Sequence, residues 1–266
     1  MFAGKVIAIT GASEGIGAEL ARQMAGKGVW LALAARNMDK LEAVAEECRV
    51  RGAEAFAQRC DVGVEEDCRS FIQAAARKYS GLDILINNAG VSGHAMFEEV
   101  SDFSWYEQMM RVNYLGSLYC TRYAVPYLKD KRRGQIVAIS SLAGRVGVPG
   151  RTAYSPTKAA QALFFEALRL ELRGSVDITV VYPGVVNTEI RRHGYGPDGR
   201  PAGKSGLRED KAMPVEECAR QILAATQARK RQLVMTLQAR IGLWLQLIAP
   251  GIVDRMVLKA VKKAGP

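Results

Sequence analysis

Short apolar runs alternate with helix-like patterns almost from the first residue, and this alternation restricts the folds open to the chain more than any other feature. KVIAIT (5–10) precedes a helical pattern over 15–27, WLALAA (30–35) one over 38–51, and AEAFAQ (53–58) one near 64–79. LDILIN (82–87) then leads through a loop to a long helix near 105–129. GQIVAIS (134–140) leads to a helix over 154–172, and VDITVVY (176–182) runs into a Pro-Gly turn. Strand followed by helix, repeated, builds right-handed βαβ units and a parallel sheet with helices on both faces. The strand runs are continuously apolar, as burial on both faces requires. The expected class is therefore α/β: a single-domain Rossmann fold with a doubly wound parallel sheet, spanning 1–266.

The first strand-to-helix turn reads TGASEGIG. Gly11, Gly15 and Gly17, with Ser13 and Ile16 between them, let the backbone turn sharply and approach a pyrophosphate. The helix that follows offers unpaired N–H groups and the positive end of its dipole. The second strand ends in Ala35-Arg36, where a site for NAD usually places an acid on the ribose 2′-hydroxyl. A missing carboxylate and an arginine favour a 2′-phosphate, hence NADP(H) over NAD. Glu14, inside the glycine turn, works against extra phosphate.

Tyr154 and Lys158 open the fifth helical pattern one turn apart, on a shared face. A phenol titrates near ~10 and needs help to act as an acid–base group at neutral pH, and an adjacent ammonium provides it. Ser141 follows the fifth strand, where ligands of such sheets bind. Asn113 places an amide among the apolar neighbours of the long helix, and Asn87-Asn88-Ala89-Gly90 ends the fourth strand. Taken alone, each admits a structural role: a capping tyrosine, a surface lysine, an amide bonded to a local carbonyl.

Taken together and in order, Thr10-Gly11-x-x-x-Gly15-x-Gly17, Asp61, Asn87–Gly90, Asn113, Ser141, Tyr154-x-x-x-Lys158, and Pro183-Gly184 with Thr188 resemble the short-chain dehydrogenase/reductase family. The resemblance runs from Lys5 to about Thr188. It implies Tyr154 as general acid/base, Ser141 positioning a carbonyl, Lys158 binding the nicotinamide ribose and lowering the tyrosine pKa, and Asn113 supporting a relay water. It also implies that Asp61 and Val62 lie by the adenine, that Asn88, Ala89 and Gly90 lie along the ribose, and that Pro183, Gly184, Val186 and Thr188 lie by the nicotinamide. Within the family, VNYLGSLYCTRYAVPYL and ISSLAGRVGVPGRTAYSPTK are similar to 11β-hydroxysteroid dehydrogenase-like and 3-ketosphinganine-reductase-like members, which act on large apolar ketones or alcohols. The expected function is an NADP(H)-dependent oxidoreductase interconverting a ketone and a secondary alcohol on a steroid-like or long-chain lipid substrate. The alternative is a non-catalytic dinucleotide-binding sensor of the same fold.

Other features set partners and place. Five cysteines without Cys-x-x-Cys spacing and only two histidines give a metal site little to be built from, and read as reduced thiols in a cytoplasmic setting. The start of the chain runs into a strand too soon for a signal peptide, and the uncharged run 241–253 is too short to span a bilayer. The formal charge of +10 comes with no nucleic-acid motif, so no nucleic-acid partner is expected. A Gly-, Pro- and charge-rich stretch makes 188–213 the expected substrate loop, mobile over the site, and His94, Met96 and Tyr195 are candidate pocket residues. The helix from Tyr154 is apolar nearly all round, which suits a homodimer or homotetramer. In the extension 238–266, Ile252, Val253, Met256, Val257, Ala260 and Val261 share one face, with Arg255, Lys259, Lys262 and Lys263 largely opposite. That stripe suits peripheral docking on an anionic membrane surface, and equally packing against the protein's own core or a partner subunit.

Overall fold

The computed structural model describes residues 2–131, 134–203 and 212–262. Residues 204–211 of the expected substrate loop, and in the tail Lys263 and the side chain of Lys262, lie outside the described residues. Strands β1 (Lys5–Thr10), β2 (Val29–Ala35), β3 (Glu54–Arg59), β4 (Ile84–Asn87), β5 (Gln135–Ile139), β6 (Asp177–Tyr182) and β7 (Gln232–Val234) form one sheet in the order β3-β2-β1-β4-β5-β6-β7. Every pairing is parallel, from Lys5 opposite Val29 to Tyr182 opposite Val234.

Strand side chains alternate between two buried layers, which explains the unbroken apolar runs. Ile7, Ile9, Leu31 and Leu33 pack toward α1 (Gly15–Met24), α2 (Met38–Val50) and α7 (Val215–Gln227), meeting Leu20, Leu41 and Ile222. Val6, Ala8, Ala32 and Ala34 face the opposite way. That layer is closed by α3 (Glu65–Lys78), α5 (Gly116–Asp130) and α6 (Tyr154–Glu171) through Phe71, Ala124 and Phe165. Small alanines on this second face let the helices approach the sheet closely.

Three departures from the sequence reading have local causes. The first helix stops at Met24 because Ala25 is extended and a glycine follows. The long helix is interrupted: α4 (Ser104–Met110) passes through a π-helical turn at Arg111–Leu115 before α5 resumes. That wider turn carries Asn113, consistent with the tendency of π-bulges to occur at functional sites. The described part of the expected substrate loop is pinned rather than free: Tyr195 N donates to Ser92 O at 2.9 Å and His94 N donates to Tyr195 O at 2.9 Å. The chain then adds α8 (Leu237–Ile248) and α9 (Pro250–Lys262), which pack on each other. Among the described residues no helix is long and apolar enough to cross a membrane.

Strand order reverses between β1 and β4, so the loops leaving their carboxyl ends diverge and open a crevice. A cleft of about 1080 Å³ lies there, walled by the β1, β2, β4, β5 and β6 exits.

Candidate active site

At the phosphate end the turn after β1 is held by one hydroxyl. Thr10 Oγ1 accepts from Asn88 N and Ala89 N at 3.1 Å each, and Asn88 Nδ2 donates to Thr10 O and Gly11 O at 3.0 Å each. This ties the β1 exit to the β4 exit and leaves no room for side chains between them. A Cβ on Gly11, whose φ is +64°, would meet Ala89 Cα at 2.7 Å, and one on Gly17 would strike the Gly11 carbonyl and Asn88. Gly17 therefore serves close packing and does not line the cleft, whereas Gly11, Ser13, Gly15 and Ile16 do. Bare backbone at the start of a ten-residue helix fits a pyrophosphate. These residues fit a dinucleotide.

The end of the cleft at the β2 and β3 exits, where the adenosine is expected, is walled by Ala35, Arg36, Asp61 and Val62, joined by Asn37 and Lys40, which the sequence reading overlooked. Lys40 Nζ lies 2.9 Å from Glu14 Oε2, and His193 Nδ1 lies 3.2 Å from Glu14 Oε1. Burial pushes the Glu14 carboxyl up, but Lys40 and His193 outweigh it and hold it below its usual value. Glu14, the acid expected to work against a 2′-phosphate, is thus already engaged by two neighbours.

At the reacting end, Ser141, Tyr154 and Lys158 reach one wall of the cleft, with Asn88, Ala89, Gly90, Pro183, Gly184, Val186 and Thr188 around them. The Ser141 hydroxyl lies beside the Tyr154 phenol and favours its ionised form, while the hydroxyl of neighbouring Ser140 is turned away, donating to Lys158 O at 2.9 Å. Burial raises the Tyr154 phenol above its ordinary value; the Arg151 guanidinium, the Ser141 hydroxyl and Arg191 act against that rise. Lys158 is only 4% exposed, and burial lowers it to about 8. Its ammonium donates to Ile139 O at 2.9 Å and to Gln161 Oε1 at 3.3 Å, and it borders Gly90, where a Cβ would come within 3.4 Å of Nζ.

Behind this wall runs a closed polar ring. Gln161 Nε2 donates to Ser117 Oγ at 2.7 Å, and Ser117 Oγ donates to Asn113 O at 3.3 Å. Asn113 Nδ2 donates to Thr157 Oγ1 at 3.0 Å, and Thr157 Oγ1 donates to the Tyr154 carbonyl at 2.8 Å. Asn113 also clasps Val91, donating to its carbonyl at 3.0 Å and accepting from its N–H at 2.8 Å. Asn113 lies behind the cleft rather than in its wall, holding the β4 exit against α6. Gln161, Ser117 and Thr157 were not foreseen. Gln161 could have been found as a polar residue at i+3 from Lys158 on an otherwise apolar helix.

His94, Met96 and Tyr195 do not line the cleft. The His94 ring sits against Gly150, Met96 is exposed, and Tyr195 stacks near Trp105 with ring centres 5.7 Å apart. Instead Ser92, Arg151 and Arg191 line it, and Val257, Ala260 and Val261 of α9 form part of its roof.

The family model described as short chain dehydrogenase matches residues 5–195. An 11-beta-hydroxysteroid dehydrogenase A of Sesamum indicum is 36% identical over 258 residues, covering 95% of this chain and 74% of that protein. An 11-beta-hydroxysteroid dehydrogenase-like 4A of Arabidopsis thaliana is 36% identical over 93% of this chain and 81% of its own length. Among solved structures, an alcohol dehydrogenase from Thermococcus sibiricus complexed with 5-hydroxy-NADP is 27% identical at a TM-score of 0.76, covering 87% of this chain and 95% of that one. A short chain dehydrogenase/reductase from Burkholderia phymatum shares the fold at a TM-score of 0.82 and 24% identity, covering 94% of this chain and 95% of its own.

Removing one acceptor from a buried ammonium makes the ring testable. Gln161→Leu is expected to cost ~1–3 kcal/mol of stability in chemical denaturation while Lys158 is charged. Because burial places the folded-state value near 8, the loss should shrink as the pH rises through that point. A loss that is the same at pH 6 and pH 9.5 would show that Gln161 does not hold the ammonium.

Proposed function

The chain belongs to the short-chain dehydrogenase family, and from that premise we propose that it is an NADP(H)-dependent oxidoreductase interconverting an apolar ketone and its secondary alcohol. The family supports an oxidoreductase acting on CH–OH groups with a nicotinamide dinucleotide. The observation that carries the reading is that Ser141, Tyr154 and Lys158 share one wall of the same cleft that the glycine turn enters. When bound, the nicotinamide supplies or accepts the hydride at the carbinol carbon. Tyr154 then exchanges the hydroxyl proton: its phenolate takes it in oxidation, and its phenol gives it to the carbonyl oxygen in reduction. Ser141 orients that oxygen by a hydrogen bond. Lys158 retains donor capacity beyond its two bonds, and on this reading it turns that capacity to the ribose hydroxyls and favours the phenolate.

The preference for NADP(H) rests on Ala35 in place of an acid, with Arg36 and Lys40 exposed at that rim. An apolar substrate suits the α9 side of the cleft and the names of the relatives, whose 11-beta-hydroxysteroid labels describe those proteins. We read the chain as one dinucleotide-binding domain carrying a substrate loop and a C-terminal extension. Two exposed apolar surfaces bear on partners. On α6, Leu163 and Leu170 are exposed, the face a second copy would cover. On α8, Trp244, Leu247 and Ile248 are 72%, 77% and 78% exposed, with Met256 of α9 also exposed and Arg240, Arg255 and Lys259 around them. The inner half of the tail's stripe, Val253, Val257 and Val261, packs inward or lines the cleft. Docking on an anionic membrane surface is therefore assigned chiefly to α8 rather than to the α9 stripe.

Kinetics with a panel of steroid, long-chain 3-keto and simple aromatic ketones test the reaction. Tyr154→Phe should keep cofactor binding and lose turnover; a wild-type protein that binds NADPH but turns over none of the panel would favour the sensor reading. Loss of a charge-assisted phosphate contact in Arg36→Ala should weaken NADPH by ~10–100-fold while changing NADH little. Glu14→Gln should strengthen NADPH by freeing Lys40, and equal effects on the two cofactors would contradict the assignment. Leu163→Glu should reduce the sedimenting mass, and Trp244→Glu with Leu247→Glu should abolish flotation with phosphatidylserine vesicles. A wild type that sediments as a monomer and does not float would remove both assignments.

A further inference from the structure

Arg151 is the least explained charge in the molecule. It precedes Tyr154 by three residues, is 6% exposed, and lines the cleft. Its NH1 donates to Ser92 Oγ at 2.6 Å and Gly93 O at 3.0 Å. No carboxylate pairs with it among the described residues, although an isolated buried cation is costly and is normally compensated. Its Cζ lies 5.5 Å from the centre of the Tyr154 ring. Lys158, by contrast, spends two bonds on Ile139 and Gln161. We propose that Arg151 is a positioning residue for proton transfer: its guanidinium favours the phenolate of Tyr154 and fixes the Ser92–Gly93 turn against the catalytic helix.

The inference rests on the assignment of Tyr154 as the proton-exchanging group. The phenolate is an anion that exists only during turnover, so a cation held beside it is partly compensated at that moment and not before. That differential interaction is what a reaction step can use. The bonds to the Ser92 hydroxyl and the Gly93 carbonyl explain why the charge stays in place without an acid, and an acid would neutralise the effect. Burial depresses Arg151, and the nearby Tyr154 opposes that depression, as mutual stabilisation requires. Other charges lie in the same wall as this phenol or face Arg151, and must be separated from it. Lys158 comes from α6 itself and Arg191 from the turn after β6. His94, itself lowered by burial and by Arg151 and raised by Glu99, comes from the loop after β4. Ser141 adds a hydroxyl from the β5 exit.

The experiment follows the phenol directly. Tyrosinate absorbance is titrated in wild type, Arg151→Met and Arg151→Lys, each minus the same protein carrying Tyr154→Phe, with and without NADP+. An opposite charge at this range moves a pKa by ~1–3 units, so the Tyr154 midpoint should rise by at least ~1 unit in Arg151→Met and less in Arg151→Lys. Lys158→Met and Arg191→Met, run alongside, isolate those contributions. In kinetics the limb of alcohol oxidation that needs phenolate should move to higher pH by the same amount, and the alkaline loss of ketone reduction should be delayed. An unchanged Tyr154 midpoint in folded Arg151→Met would overturn the proposal, and if that variant does not fold, so would folded Arg151→Gln with a midpoint equal to wild type and the kinetic limbs unmoved. Failure of the ketone panel would count against the reaction assigned above, while the absorbance titration would still decide the role of Arg151.

Discussion

Burying the Lys158 ammonium constrains the rest of this site. Removing an unpaired charge from water costs several kcal/mol, and hydrogen bonds to a charged group return roughly 1.5–3 kcal/mol each. The Ile139 carbonyl at the end of β5 provides one, and Gln161 a second. Ser140 reaches from the next position to the Lys158 carbonyl, so the end of β5 and the start of α6 are tied at both ends of one residue. Tyr154, one turn earlier, then has little choice but to face the carboxyl ends of the strands. The ring through Gln161, Ser117, Asn113 and Thr157 fixes that turn from behind and ties it to Val91 beyond β4.

The two ends of the cleft are built on opposite principles. At the phosphate end, Gly11 and Gly17 leave out side chains so that backbone can come close, and Thr10 with Asn88 supplies the bonds that stop the turn from collapsing. At the reacting end, side chains crowd in and each is held by another. Rigid backbone binds an anion without reorganising, and held side chains let a proton move without searching. The α8–α9 hairpin adds an apolar roof to the second end while showing its own apolar face to solvent.

Strand-to-helix alternation made the sheet legible, because a strand buried on both faces must be apolar throughout. The glycine turn, Ser141, Tyr154 and Lys158 were legible because their chemistry is local in the chain or set by a strand end. What escaped reading was set by distant partners. Nothing in Gln161 or Ser117 reveals a bond across 44 positions of sequence. Arg151 reads as a solvated loop charge until Ser92 and Gly93 are seen to bury it. The three-residue β7 is too short to show a period, and the π turn at Asn113 is invisible to a pattern that assumes regular helix. Of the candidate pocket residues, His94 packs against Gly150 and Tyr195 against Trp105, outside the cleft, and Met96 stays exposed.

If one buried amine organises both the sheet end and the tyrosine, its own titration is the most direct test. Nitrogen-15 detected titration of the Lys158 side chain, assigned by its absence from a Lys158→Arg sample, reads that value without cofactor or substrate. Desolvation predicts a midpoint near 8. A midpoint at the ordinary ~10.4 of an exposed lysine would mean that the ammonium is solvated, and the bond to Ile139 on which the site is built would not exist.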